Sequence, residues 1–114
     1  MKVIIAGSRS FNDYEKLCST CNFLLSNTND IEIVSGGARG ADKLGEQYAN
    51  SKSYPIKQFL ANWELGKSAG YKRNIDMANY ADALIAFWDG ESRGTLSSIN
   101  LAEKYKKSCL TIRF

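Results

Sequence analysis

Residues 31–42 read Ile31-Glu32-Ile33-Val34-Ser35-Gly36-Gly37-Ala38-Arg39-Gly40-Ala41-Asp42. A short apolar run, Ile31 to Val34, stops abruptly at small residues. From about Gly40 a helical pattern takes over, with Ala41, Leu44, Gly45, Tyr48 and Ala49 recurring on one face. This is a buried strand that turns through glycines straight into a helix. Glycine lets the backbone take positive φ and lets other groups approach closely. Unpaired N–H groups at a helix start, with the helix dipole behind them, attract anions.

The same pattern stands on either side. Lys2 to Ala6 is an apolar run ending at Gly7-Ser8-Arg9-Ser10, and Ala83 to Phe87, the most apolar run, ends at Trp88-Asp89-Gly90-Glu91-Ser92-Arg93-Gly94-Thr95. Between these runs lie helical patterns. Asn12 is expected to cap the first helix, with Glu15 completing a capping box, and that helix should run to about Ser26. Pro55 precedes a third strand, Ile56 to Leu60. A loop with Trp63 then leads to a helix from about Gly70 to Tyr80, whose inner face carries Met77 and Ala78. The last helix is expected from Thr95 to about Lys107 with Leu96, Ile99 and Ala102 inward, and a final strand from Cys109 to Ile112. Strands and helices alternate, and the strands are continuously apolar. That predicts an α/β fold: a single doubly wound Rossmann-like domain over residues 1–114. Right-handed crossovers give a five-stranded, mainly parallel sheet of order 3-2-1-4-5 with helices on both faces.

Composition narrows the function. The 114 residues are 44% hydrophobic and 24% charged, enough for one core without disulfide or metal staples. No apolar run is long enough to span a bilayer, and Met1 to Ala6 lacks the pattern of a signal peptide, so a cytoplasmic protein with no membrane partner is expected. The chain has no histidine, which excludes a Ser-His-Asp triad, a Cys-His pair and a histidine-ligated zinc. No metal site is expected. The odd count of three cysteines argues against a disulfide framework. Cys18 and Cys21 form a C-x-x-C, yet they share a helical stripe with Tyr14, Leu17, Leu24 and Leu25, so they read as core. Cys109 lies in an apolar run and reads the same way. Gly66-Lys67-Ser68 imitates the end of a P-loop. It is not one, because Ala61 stands where the first glycine is needed and no acidic residue closes a following strand to hold magnesium. The spaced glycines of the dinucleotide fingerprint are absent as well.

In such a sheet, ligands bind outside the carboxyl ends of the strands, near the switch between the first and fourth. Of the five arginines, Arg9, Arg39 and Arg93 lie in the glycine-rich loops and Arg73 lies near the start of the third helix. Arginine grips phosphate or carboxylate through a planar fork that lysine lacks. Arg113, beyond the final strand, is read as remote from this group. The expected binding set is Gly7, Ser8, Arg9, Ser35, Gly36, Gly37, Arg39, Asp42, Arg73, Asn74, Trp88, Asp89, Gly90, Gly94 and Thr95. Trp88, like Trp63, is a candidate to stack on a base. Asp42 and Asp89 are candidates for ribose hydroxyls, with helix capping the alternative for Asp42. The expected ligand is a small nucleotide-like anion, and no further cofactor is required. A net charge of +3 is thin for the positive groove that nucleic acid demands, so nucleic acid is not the expected partner.

These motifs resemble one family. Gly7-Ser8-Arg9 with Phe11 and Asp13, Ser35 to Asp42, Ala69-Gly70 with Arg73-Asn74 and Met77, Ala81-Asp82, and Trp88-Asp89-Gly90 with Gly94-Thr95 are similar to the YspA/YpsA-related branch of the SLOG superfamily, whose name joins the Smf/DNA-processing-A and LOG proteins. The resemblance implies a Rossmann-like fold, a role in binding or sensing nucleotides, bacterial or phage origin, and, by analogy, homodimers. LOG relatives are phosphoribohydrolases that free the base of a nucleoside monophosphate, with a Pro-Gly-Gly-x-Gly-Thr-x-x-Glu motif. The phosphate cradle of that motif carries over to Gly90, Gly94 and Thr95, but Ser98 stands at the glutamate position. Serine cannot offset an oxocarbenium-like charge. Asp89 and Glu91 are then the catalytic candidates if the protein is an N-glycosidase. DNA-processing relatives bind single strands.

Overall fold

The computed structural model describes residues 1–66 and 68–114; Lys67, the middle of the P-loop-like triplet, lies outside them. The elements are β1 (Lys2–Gly7), α1 (Tyr14–Leu25), β2 (Glu32–Ser35), α2 (Ala41–Lys52), β3 (Ile56–Gln58), a 3₁₀ turn (Trp63–Leu65), α3 (Ala69–Tyr80), β4 (Ala83–Trp88), α4 (Arg93–Lys104) and β5 (Ser108–Arg113). The sheet order is β3-β2-β1-β4-β5 and every pairing is parallel. This is the Rossmann-like α/β fold that the alternating pattern predicts. A parallel pair needs a crossover, and each crossover here is one of the four helices.

Strand alternation sorts the core into two layers. Val3, Ile5, Ile33, Ile85 and Phe87 face α1 and α2, where Leu17, Cys21, Tyr48 and Ala49 meet them. Ile4, Ala6, Val34, Leu84 and Ala86 face α3 and α4, where Met77, Ile99 and Ala102 meet them. Each such aliphatic side chain taken fully from water contributes roughly 1.5–3 kcal/mol, and the central strands β1 and β4 carry most of them. All three cysteines are free thiols. Cys21 is fully buried in the first layer, and Cys18 packs partly buried against it. Cys109 packs against the second.

Several boundaries move for local reasons. Asp13, not Asn12, caps α1: its carboxylate accepts from the Lys16 N–H at 3.0 Å. β3 ends at Gln58, because Leu60 turns outward and is 67% exposed. α4 begins two residues before Thr95, and its last turn ends at Lys104. Its buried stripe runs through Thr95, Ile99, Leu101 and Ala102, leaving Leu96 outward.

Candidate functional site

The carboxyl edge of the sheet carries a cleft of about 440 Å³. It opens between the loops after β1, β2 and β4 and the start of α3. Ser8 knits these loops together. Its N–H donates to the Phe87 carbonyl at 2.9 Å, and its hydroxyl accepts the Asp89 N–H at 3.1 Å. Its carbonyl accepts from Phe11 and, at 3.4 Å, from Ala41 at the start of α2. Gly40, which precedes α2 at a φ of 79°, must be glycine: a Cβ there would stand 2.6 Å from the Arg9 carbonyl oxygen.

One wall sets a carboxylate and a guanidinium on either side of a glycine. A Cβ on Gly36 would lie 2.8 Å from Arg73 Nη1 and 2.9 Å from Asp42 Oδ2, so only glycine leaves room for both. Arg73 is pinned. Its Nη1 donates to the carbonyls of Gly36 at 2.6 Å and Phe59 at 3.4 Å, and its Nε donates to Asn74 Oδ1 at 2.9 Å. Asn74 then reaches across to the Gly94 carbonyl at 3.5 Å, coupling the arginine to α4. Burial lowers the Arg73 pKa and Asp42 opposes the change; a guanidinium stays charged regardless. Asp42 is 7% exposed, and burial pushes its carboxyl up to about 6. The Ala38 N–H, bound at 3.2 Å, and the Arg73 charge hold that rise in check. Asp42 is not the cap of α2; that position is Gly40.

The opposite wall is the start of α4. Ser92 occupies the cap position but makes no side-chain cap bond; its hydroxyl pairs with Thr95 at 3.1 Å instead. Asp89 staples the turn before it, accepting from the N–H groups of Glu91 and Ser92 at 2.8 Å each. Those bonds hold the Asp89 carboxyl below the usual range. Above Gly94 the space is empty: nothing lies within 4 Å of a Cβ built there.

Of the sequence-predicted set, Gly7, Ser8, Arg9, Gly36, Asp42, Arg73, Asn74, Asp89, Gly94 and Thr95 line this cleft. The others do not. Ser35 is fully buried beneath it, donating to Glu46 at 2.6 Å. Gly37 packs against Leu60, and Arg39 is exposed outside the cleft. Trp88 lies on the α3–α4 face, its indole N–H bound to the Ser92 carbonyl at 3.0 Å. Gly90 sits against the Arg113 guanidinium, and Glu91 is exposed beyond the rim. Trp63 is 60% exposed and packs beside Gly70. Arg113 is not remote. It ends β5, 5.5 Å from the Trp88 ring centre, and donates to the Asp89 carbonyl at 3.4 Å. Ser10, Met77, Ser92 and Ser98 also line the cleft; Ser10 and Ser92 stand in the glycine-rich loops and Met77 on the inner face of α3, yet none of these three is among the expected contacts. No cluster able to hold a metal ion occurs among the described residues. None of their helices is long and apolar enough to cross a membrane.

The model of the YspA, cpYpsA-related SLOG family matches residues 1–66. The chain is 34% identical, over 111 residues, to the Gene 61 protein of Mycobacterium phage D29, covering 90% of this chain and 89% of that protein. Among solved structures, DNA processing protein A from Streptococcus pneumoniae superposes with a TM-score of 0.79 at 20% identity, over 99% of this chain and 50% of that one. DNA processing protein A from Helicobacter pylori, studied for its single-stranded DNA binding mode, gives 0.72 at 23%, over 97% of this chain and 64% of that one. The protein TM1055 gives 0.70 at 18%, over 95% of this chain and 71% of that one. The chain thus spans only half to two-thirds of the two DNA processing proteins. At these identities the likeness is one of fold.

Proposed function

The chain belongs to the YspA, cpYpsA-related SLOG family, and we propose that it binds a nucleotide or nucleotide-derived anion in the cleft at the carboxyl edge of its sheet. The observation that carries this reading is the start of α4. Its first turn has no side-chain cap bond, it is open above Gly94, and it faces an arginine already fixed by three acceptors. Helix-start amides and a pre-oriented guanidinium are the two commonest grips on phosphate. Arg9, on the cleft rim, adds an exposed second cation; the ion pair found among the described residues, Lys43–Glu46, does not involve it. On this reading the protein works in the cytoplasm and needs no further cofactor. The DNA-binding neighbour adds a strand end to the candidate ligands, against the expectation from net charge. Native mass spectrometry of the protein as purified from cells is the test. A co-purified nucleotide mass, lost in Gly94→Val, supports the reading. An empty protein that binds none of the common nucleoside monophosphates in calorimetry overturns it.

A second reading, hydrolysis of an N-glycosidic bond, has one observation in its favour: Asp42 is a carboxyl in the cleft wall whose burial pushes it up to about 6. That suits acid–base work on a leaving base. Asp89 suits it less, since its carboxylate is committed to the turn before α4, and Glu91 lies beyond the rim. Release of free base from nucleoside monophosphates, abolished by Asp42→Asn, would establish it.

A further inference from the structure

The first turn of α4 has two sides. Ser92, Gly94 and Thr95 face the cleft, whereas Arg93 and Leu96 face a second groove of about 390 Å³ that reaches Tyr71 on α3 and Asn100 and Lys104 further along α4. The same pair of helices therefore walls both cavities, with the open space above Gly94 between them. The groove has a distinct chemistry. Tyr71 is 50% exposed and Leu96 38%, which offers an aromatic face beside an aliphatic one. Arg93 and Lys104 are both exposed, and no carboxylate lines the groove. Asn100 supplies a carboxamide of the kind that reads a base edge. Ser97, also in its lining, keeps a buried hydroxyl with no hydrogen-bond partner among the described residues. An aromatic face for stacking, two cations for phosphate and a carboxamide for hydrogen bonding together suit a nucleotide.

We propose that this groove is a second nucleotide subsite, so that the protein takes a phosphodiester-linked ligand lying across the first turn of α4, with one unit in the cleft and the next against Tyr71. The proposal rests on the nucleotide reading of the cleft and adds the length of the ligand. A small dinucleotide and the 5′ end of a single strand share this chemistry. In either case the linking phosphate crosses the helix start above Gly94, near Arg93, and the second base stacks on Tyr71.

The test uses the intact chain in titration calorimetry. The probes are the ribo- and deoxyribonucleoside 5′-monophosphates, the matching 5′-phosphorylated dinucleotides and 5′-phosphorylated twelve-residue strands. Stacking one more base is worth roughly 5- to 150-fold in affinity, so the best dinucleotide should bind tighter than the best monophosphate by that factor. Tyr71→Ala and Lys104→Gln alter exposed side chains and should leave folding intact. Both should remove most of the gain while changing monophosphate affinity less than twofold. Two further outcomes support the proposal and name the source of the ligand. A plateau at two units means a dinucleotide, and continued tightening with the strand, together with a steeper salt slope, means a strand end. Dinucleotides no tighter than monophosphates, or equal losses on both probes in Tyr71→Ala, overturn the second subsite and leave the cleft reading standing. Binding of neither class overturns both.

Discussion

Asp42 makes the stability of this protein depend on pH in a direction opposite to that of most acidic residues. Its carboxyl is 7% exposed, and burial raises it from an ordinary 3.8 to about 6. The folded chain therefore holds a proton that the unfolded chain has already released, throughout the window between those values. Where the native state binds more protons, stability falls as pH rises. Below pH 3.8 the group is neutral in both states and costs nothing; as pH climbs through about 6 the folded state must carry a buried charge. A difference of about two pH units corresponds to about 3 kcal/mol at full ionisation. Urea unfolding of the wild type and Asp42→Asn between pH 4.5 and 7.5 isolates this effect, since asparagine keeps the size and one acceptor for the Ala38 N–H. About 1 kcal/mol of this is already lost at pH 4.5, so the wild type should lose roughly 2 kcal/mol relative to the variant across that range. The same protonation removes the negative charge beside Arg73. Sulfate, whose charge is constant over the range, should accordingly bind the wild type roughly tenfold more tightly at pH 5 than at 7.5, and the variant about equally at both. Parallel stability profiles for the two proteins would refute the burial argument, and sulfate affinity independent of Asp42 would refute the coupling to Arg73.

Arg9→Ala and Arg73→Ala should each weaken nucleoside monophosphate binding by roughly 1.5–3 kcal/mol, the worth of a charge-assisted hydrogen bond. Only Arg73→Ala should also destabilise the fold in urea melts, because it abandons the buried Asp42 carboxylate. Equal losses for nucleoside and nucleotide would place these arginines on base or sugar. A Cβ on Gly94 has nothing within 4 Å beyond its own helix turn, so Gly94→Val should leave circular dichroism and melting near wild type while calorimetry registers the loss of nucleotide binding. Arg113→Ala should weaken binding a few-fold by loosening the loop over which its guanidinium lies; affinity equal to wild type would make that contact idle. Replacing Cys18 and Cys21 together by alanine should cost roughly 1–3 kcal/mol of packing and leave ligand affinity unchanged. In the native wild type Cys21 should resist thiol reagents, being fully buried with its thiol pushed up to about 12.

How much of this was legible in the sequence follows from the range over which each feature is determined. The strands were legible because β1, β2 and β4 are continuous apolar runs stopped by small residues, and a parallel sheet buried on both faces demands that pattern. The start of α4 is two residues earlier than expected, although Ser92 is a favoured N-cap residue and Arg93 a good helix former; the expected inner face put Leu96 where the structure has Thr95. The cleft was legible wherever a loop motif supplied its wall, at Gly7-Ser8-Arg9, Gly36 and Gly94-Thr95. Two errors had their remedy in the predicted topology itself. In an all-parallel sheet the last residue of β5 returns to the ligand edge, so Arg113 belongs there despite closing its strand at the chain's end. Alternation along β4 puts Leu84, Ala86 and Trp88 on one face, which sends the Trp88 ring toward α3 and α4 and away from the cleft.

What local pattern could not supply was the division of labour among the polar groups. Asp42 and Arg73 flank Gly36 from different helices, and Asn74 links Arg73 to the Gly94 carbonyl. The first arrangement is set by where α2 and α3 start at the carboxyl edge of the sheet and the second by the packing of α3 against α4, not by periodicity within any one helix. The same packing decides which donors are spent. Ser8, Ser35 and Asp89 look like ligand contacts in the sequence, yet each is taken up by the protein: Ser8 ties the β1 loop to the β4 loop, Ser35 ties the end of β2 to Glu46 on α2, and Asp89 braces the turn before α4. A buried polar group left without a partner costs about 1–3 kcal/mol, so a cleft built from glycine-rich loops keeps its shape only if most of its polar groups are bound to one another. On the proposed reading, what remains for a ligand is the start of α4, the rim cation Arg9 and the fixed fork of Arg73. Because Asn74 joins the fork to α4, movement of either should be felt at the other, and Asn74→Ala should weaken nucleotide binding although its carboxamide is already committed to the protein. Unchanged affinity in that variant would mean the two grips act independently.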